Sequence, residues 1–448
     1  MGRRLALVAA AAVLPVATLS VWVTAAPLSP PLGPCSGPDC PATWLPPHNG
    51  NVSGRDATIN VFVGGNYTVQ GRAAEVEGKV VTLGDLTVDK TGGGLFNMAV
   101  AGVGSRVVPP DGTDFVTVGG NVTVQPTNTV EVGGAANTFG TLAYGNLRYG
   151  GTLTGTVNIT PAGQAVKDAN ARNQYANLPA QIGKLSTCAG TATANGTVTV
   201  SGNQVTFTGD GTSARQIFNV PGNIGSSTRA ADLTITGVPA GATVVINMLG
   251  TAPVINTNTG TGLAGDPFTE LRSRLMWNFP NATTATIMGG AQFQGSMMAA
   301  NPAGTTTIST PGFNGRVYLA GNLVQLGSAG TEVHNYPFDG DLPECTTPSP
   351  SPSDSTTPTP SPSPSPSPSK STPSASPSES TPAPSSSTPA PVSSSARPVS
   401  SASMSSSGDS QLPATGAGSA APLGLAAGGL VVTGGVAFWV ARRRGRHG

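Results

Sequence analysis

The sequence is short of the charge that most macromolecular recognition uses. Only 10% of its 448 residues are charged, and 22 basic against 21 acidic side chains leave a net charge of +1. No basic face is available for nucleic acid or for an anionic lipid surface, and nucleic acid is excluded as a partner. Histidine is nearly absent: His48, His334 and His447 are the only three, and they match no zinc-finger or zinc-ribbon spacing. Carboxylates come in thin pairs, Glu75 with Glu77, Asp111 with Asp114 and Asp339 with Asp341, each expected to be solvated. His334 is expected to bond a closing turn, and no nucleophile elbow marks a serine. Glycosidase or lyase chemistry needs clustered carboxylates with a basic partner. The expectation is a non-enzyme without cofactor or metal.

What the sequence does have is concentrated first at its ends. Leu412-Pro413-Ala414-Thr415-Gly416 precedes an uncharged apolar run from Ala417 to Ala441, and Arg442, Arg443, Arg444 and Arg446 follow. About 20 apolar residues span a hydrocarbon core as a helix, here about 420–440, and trailing arginines hold that end in the cytoplasm. This order reads as a sorting signal for a Gram-positive cell wall. The stalled chain offers the pentapeptide to a sortase, which cleaves after Thr415 and joins Thr415 covalently to peptidoglycan. At the other end, Arg3 and Arg4 open an apolar stretch from Leu5 to Val23 with small residues before Ala26, a secretory signal peptide cleaved after Ala25. The expected product is secreted and wall-anchored, by way of a membrane-spanning precursor.

Between the ends the composition divides the chain further: signal peptide 1–25, a Pro-rich segment 26–53, a folded β domain 54–343, a stalk 344–410 and the sorting signal 411–448. The stalk repeats Ser, Pro and Thr and buries no core, so extended polyproline II is expected. At about 3.1 Å per residue, some sixty residues lift a domain on the order of 100 to 200 Å from its anchor. Its Ser and Thr are candidates for O-linked sugars. Cys35, Cys40, Cys188 and Cys345 are an even set in an exported chain and favour disulfides over metal. Of three possible pairings, Cys35 with Cys40 and Cys188 with Cys345 is preferred.

The folded region carries a returning phrase. Val61 to Val69, Val81 to Val88, Val116 to Val124, Leu142 to Tyr149 and Val317 to Val324 each read as strand, glycine corner, strand. Gly-Asn or Gly-Asp at the corner is expected to supply positive backbone dihedrals. Early repeats recur at about 20 to 35 residues, the size of a solenoid coil. Stacked coils would align Asn66, Asp85, Asn121 and Asn146 as a polar corner ladder, each side chain bonding the backbone of a neighbouring coil. An antiparallel sandwich of hairpins is the competing reading. Fold class is therefore mainly β, a β-solenoid resembling a right-handed β-helix, with one helical insert. That insert is placed at 161–188, as a helix beginning near Ala162 and a shorter continuation past Pro179 toward Lys184. Strands are expected to resume at 197–200, 205–208, 232–236 and 243–248. Asn-x-Thr triplets at Asn66, Asn121, Asn158, Asn195 and Asn281 fall where corners want Asn and strands want Thr. Threonine runs at 305–307 and 197–199 are candidates for a flat ladder facing ice or sugar, against ordinary β-propensity.

Six blocks in order give a resemblance to a known family. They are Val61 to Asn66, Val76 to Val80, Gly237 to Asn247, Trp277 to Thr283, Gly295 to Asn301 and His334 to Phe338. With these, residues 57 to 343 resemble the choice-of-anchor A family of surface proteins. The resemblance implies an adhesive β-helical domain without assigned catalytic residues. A helix laid on a solenoid is similar to ice-binding β-helices in architecture alone. The sequence thus points to an adhesin displaying its domain on a stalk toward an extracellular carbohydrate or protein ligand. A structural or ice-associating role is the alternative, and a polysaccharide-degrading enzyme is third.

Overall fold

A computed structural model describes residues 27–327 and 330–343. The signal peptide, stalk, sorting signal and C-terminal helix expected above lie outside the described residues, and so does Cys345. Among the described residues no helix is long and apolar enough to cross a membrane.

Three large sheets, of ten, eight and seven strands, carry the fold, and every strand pairing in them is parallel. Parallel pairing excludes the hairpin sandwich, because a hairpin can only pair its arms antiparallel. A complete coil contributes one strand to each sheet. Ile59–Val63, Tyr67–Gly71 and Glu75–Glu77 make one coil, and Lys79–Thr82, Leu86–Lys90 and Gly94–Ala99 make the next. Asp114–Val118, Val122–Val124 and Asn128–Val132 follow, then Asn146–Tyr149, Leu153–Thr154 and Thr156–Ile159.

The chain does not continue outward from there. Helix α1 (Ala136–Phe139) is a short interruption, whereas α2 (Leu178–Thr191) runs back along the ten-stranded sheet. The coils then resume at the far end with Arg215–Val220 and Thr243–Met248, and return through Leu275–Phe279 and Ser296–Ala299 to Val317–Leu319. This last coil pairs with the first: Val61 with Val317, Tyr67 with Leu323 and Glu75 with Glu332. Coils distant by more than 250 residues are therefore neighbours, which explains the repeat phrase at Val317–Val324 standing far from the others.

The helical insert differs from expectation. Residues 165–167 form a strand, 173–175 a single 3-10 turn, and α2 begins only at Leu178. Ala162 has φ +81°, outside the helical region. Pro179 does not split the helix, because it sits in the first turn, where no backbone donor is needed. A further short helix, α3 (Pro267–Leu271), is capped by Asp266, whose carboxylate accepts from the Phe268 N–H.

The solenoid interior is aliphatic and aromatic, running from Val61 through Phe96, Phe115 and Trp277 to Phe313. A second cluster lies outside the ten-stranded sheet, where Phe62, Val245, Met276 and Tyr318 meet Ile182 and Leu178 of α2 together with Leu28 and Leu32. Leu28 and Leu32 of the segment before position 54 are thus packed onto the body of the domain. Cys35 and Cys40 form a disulfide, Arg316 pairs with Asp56 at 2.6 Å with both side chains fully buried, and Cys188 is not a free thiol.

Candidate functional site

The three sheets differ in what covers them. Along the ten-stranded sheet, α2 is held by polar side chains as well as by apolar packing. The Asn278 amide donates to the Ser186 carbonyl at 2.8 Å and to Asn247 Oδ1 at 2.8 Å, and Asn247 donates onward to Asn219 Oδ1 and to the Ala189 carbonyl, each at 2.9 Å. The seven-stranded sheet is bordered by buried acids. Glu77, fully buried, accepts from the N–H groups of Ser105, Arg106 and Asn335 and from the Ser105 hydroxyl at 2.7–2.9 Å. Glu75 is 3% exposed, and burial, reinforced by Glu332, pushes its carboxyl up to about 7. The expected solvated pair is thus buried. A strand face turned toward the loop at 102–106 is not turned toward water.

The eight-stranded sheet is open. Its strands alternate buried and partly exposed residues, as in Tyr67–Gly71 and Leu86–Lys90. Strand register sets the outward residues in one line: Thr286, Thr307, Val324, Thr68, Thr87, Thr123 and Thr154. Neighbours in such a row stand about 4.8 Å apart. Among the described residues no partner bonds these six threonine hydroxyls. The methyl and hydroxyl on Cβ restrict each side chain to few rotamers, so the row is rigid before any ligand arrives.

Beside the row lies the corner ladder. Asn322 Oδ1 accepts from the Asn66 N–H at 2.9 Å, Asn66 Oδ1 from Asp85 N–H at 2.9 Å, and Asp85 Oδ1 from Asn121 N–H at 2.7 Å. Asn121 Oδ1 ends it by accepting from both the N–H and hydroxyl of Thr152 at 2.9 Å. Asn146 is elsewhere: it starts a strand of the ten-stranded sheet, its Oδ1 accepts from Gln164 N–H at 3.1 Å, and Gly150, Gly151 and Thr152 occupy the ladder corner of that coil. The corner glycines also act differently from expectation. Gly65, Gly84, Gly120 and Gly151 do not have positive φ; a Cβ on each would stand 2.1–2.3 Å from the Asn or Asp Oδ1 of the adjacent coil. Glycine is required there for close approach, not for a left-handed bend.

The remaining sequence candidates are tied into structure. Asp111 pairs with Arg55, Asp114 with Arg148 and Asp341 with Arg215, each at 2.7 Å. His334, 1% exposed, contacts Asn314 Oδ1 at 2.7 Å and Glu332 at 3.1 Å. Thr305 and Thr307 face outward on the open sheet while Thr306 between them is 3% exposed. Thr197 and Thr199 lie instead on a separate three-stranded sheet. Of the disulfide set, Cys188 is 5% exposed, while its expected partner Cys345 and the whole pentapeptide Leu412 to Gly416 lie outside the described residues. The only close group of three metal-ligating side chains among the described residues is Cys35, Cys40 and Asp56, in which both sulfurs are taken by the disulfide.

The threonine row was missed as a row in the sequence. Its signal was present in Asn66-x-Thr68, Asp85-x-Thr87 and Asn121-x-Thr123, where a corner residue is followed two positions later by an outward threonine.

A parallel β domain with one open face, whose central row carries no charge, defines a binding class of protein, and comparison with known families agrees. Residues 54–335 match the family described as "Putative Ice-binding-like adhesive domain", and the chain belongs to it. Residues 405–445 match the LPXTG cell wall anchor motif, which implies sortase-mediated covalent attachment and a cell wall anchored surface location. Neither family is enzymatic. Among curated proteins none matches. One solved structure similar to the chain is an ice binding protein from an Antarctic biological consortium, at 14% identity and a TM-score of 0.23, covering 61% of this chain and 87% of that one.

Proposed function

We propose that this is a wall-anchored adhesin that fixes the cell to an ordered, repeating surface, ice foremost, through the open face of its eight-stranded sheet. The observation that carries the reading is the in-register row of six threonines and one valine, with hydroxyls that no described residue bonds, on the sheet that no other described element covers. A rigid flat array loses little conformational entropy when it meets a lattice, and its many weak contacts add. Its central row carries no charge, so little hydration has to be stripped from it. Membership in the adhesive family and the anchor motif supply the attachment at the other end of the chain. The role is binding rather than catalysis: Glu75 and Glu77 are buried, and Asp111, Asp114 and Asp341 are engaged by arginine. Sortase would transfer the chain through Thr415 to peptidoglycan, and the Ser-Pro tract would carry the domain outward.

The test is adsorption of the fluorescently labelled exported chain to a growing ice surface, together with thermal hysteresis. Wild type should enter the ice, and Thr87→Tyr combined with Thr123→Tyr should abolish entry while circular dichroism stays native. Exclusion of wild type from ice would overturn the ice reading.

A further inference from the structure

We propose a second binding site, for a neutral saccharide, in a cleft that shares no residue with the threonine row. The cleft has a volume of about 450 Å³ and forms where the N-terminal segment, α3 and the closing residues converge. That size falls within the roughly 300–1,000 Å³ of small-molecule sites. Trp44 forms one wall, partly exposed, with its ring centroid 5.9 Å from that of Tyr336. Arg272 lies 3.4 Å over the Tyr336 ring, is 7% exposed, and its Nη1 has no hydrogen-bond partner. A buried guanidinium nitrogen without an acceptor costs free energy, and a ligand oxygen would supply what is missing. Glu270 and Asp339 also line the cleft, with Thr269.

The donor and acceptor set selects the chemistry. An anion would meet two carboxylates, and a cation would meet Arg272. A neutral polyol fits both, because each hydroxyl donates to a carboxylate and accepts from Arg272. The aromatic ring of Trp44 offers an apolar wall for the C–H face of a pyranose. This site does not depend on the ice-directed reading, since none of its residues belongs to the open sheet.

Tryptophan fluorescence reads the site directly. After removal of residues 1–25 and everything beyond Thr415, the chain would hold two tryptophans, Trp44 and Trp277, and Trp277 is 1% exposed. The exported chain is titrated with methyl glycosides of glucose, galactose, mannose and N-acetylglucosamine, with N-acetylneuraminic acid as the anionic probe. Saturable quenching by at least one neutral glycoside is expected, with saturation-transfer NMR on the same sugar. Glu270→Gln, an exposed position, should weaken binding about tenfold, equivalent to about 1.4 kcal/mol, and Trp44→Ala should abolish the NMR transfer. Thr87→Tyr with Thr123→Tyr should leave sugar binding unchanged. Absence of saturation with every neutral glycoside, binding of the anionic probe alone, or undiminished transfer in Trp44→Ala would each overturn the proposal.

Discussion

The ten-stranded and eight-stranded sheets are built from the same coils, one corner apart, yet they read differently. Ile59–Val63 and Leu275–Phe279 are buried at every position, because one side faces the solenoid interior and the other faces α2 and the segment around Leu28 and Leu32. Tyr67–Gly71 is buried only at alternate positions. A parallel strand covered on both faces tends to a continuous apolar run, and one covered on a single face tends to alternate. The contrast shows where a solenoid keeps its working surface: on the sheet whose outward residues are polar, small and aligned. Asparagine marks the difference too. On the covered sheet Asn247 and Asn278 each donate to a carbonyl of α2, whereas at the open corner Asn66 and Asn121 hold the next coil, through the Asp85 N–H and through the N–H and hydroxyl of Thr152.

The strongest way to break the covered side is Asn278→Ala. It removes two donated bonds and the acceptor of the Ser186 hydroxyl at 2.5 Å, and leaves the Ser186 hydroxyl and Asn247 Oδ1 buried without these partners. At roughly 1–3 kcal/mol for each orphaned group, a loss of about 4 kcal/mol is expected in denaturant unfolding of the exported chain. A loss under about 1 kcal/mol would show that apolar packing alone holds α2.

Next in size is the corner shared by the two sheets. A Cβ at Gly84 would stand 2.2 Å from Asn66 Oδ1 and 2.6 Å from the Gly65 carbonyl. Gly84→Ala should therefore cost about 2 to 3 kcal/mol through forced separation of coils. Gly222→Ala, with nothing within 4 Å of the added carbon, should change stability by less than about 0.5 kcal/mol. Equal effects from the two would remove the close-approach account of the corner.

The sequence made part of this legible and hid part for physical reasons. Repeats with a fixed glycine corner announced a solenoid because each coil solves the same local problem. The ladder through Asn66, Asp85 and Asn121 was readable for the same reason, while Asn146 was not: a Gly-Asn pair opens a strand as readily as it turns a corner, and only register tells them apart. Burial of Glu75 and Glu77 depends on residues 102–106 and on Asn335, contacts that no local pattern encodes. Pairing of Val317–Leu319 with Ile59–Val63 is likewise a property of the return path of the chain. The cleft at Trp44 gathers three separate stretches of sequence, so its residue types stand far apart in the chain.

The bordering acids give a smaller and pH-dependent effect. Glu75 holds its proton to about 7 in the folded chain, first because it is buried and then because Glu332 is near, whereas an unfolded glutamate releases it near its ordinary value of 4.5. Between these values the folded state binds more protons than the unfolded state. Stability should be fully present below about 4.5 and fall as pH rises toward about 7. Glu75→Gln should flatten that slope in thermal melts taken across the window. A slope unchanged by the substitution would place its origin in another group.

The smallest effect on stability is expected at the open face, and its smallness is informative. Thr87→Val keeps the shape and the β-branch of a half-exposed side chain whose hydroxyl bonds none of the described residues, so unfolding should shift by less than about 0.5 kcal/mol. Val324 already stands in the same row between Thr307 and Thr68. If the face works through shape and methyl contact, Thr87→Val should adsorb to ice almost as wild type does, while Thr87→Tyr, projecting above the row, should not. If adsorption instead fails with valine, the hydroxyls themselves carry the contact, and replacing Val324 by threonine should strengthen it. Either result separates a surface selected for its ligand from the covered sheet, where the same kind of exchange is felt first by the fold.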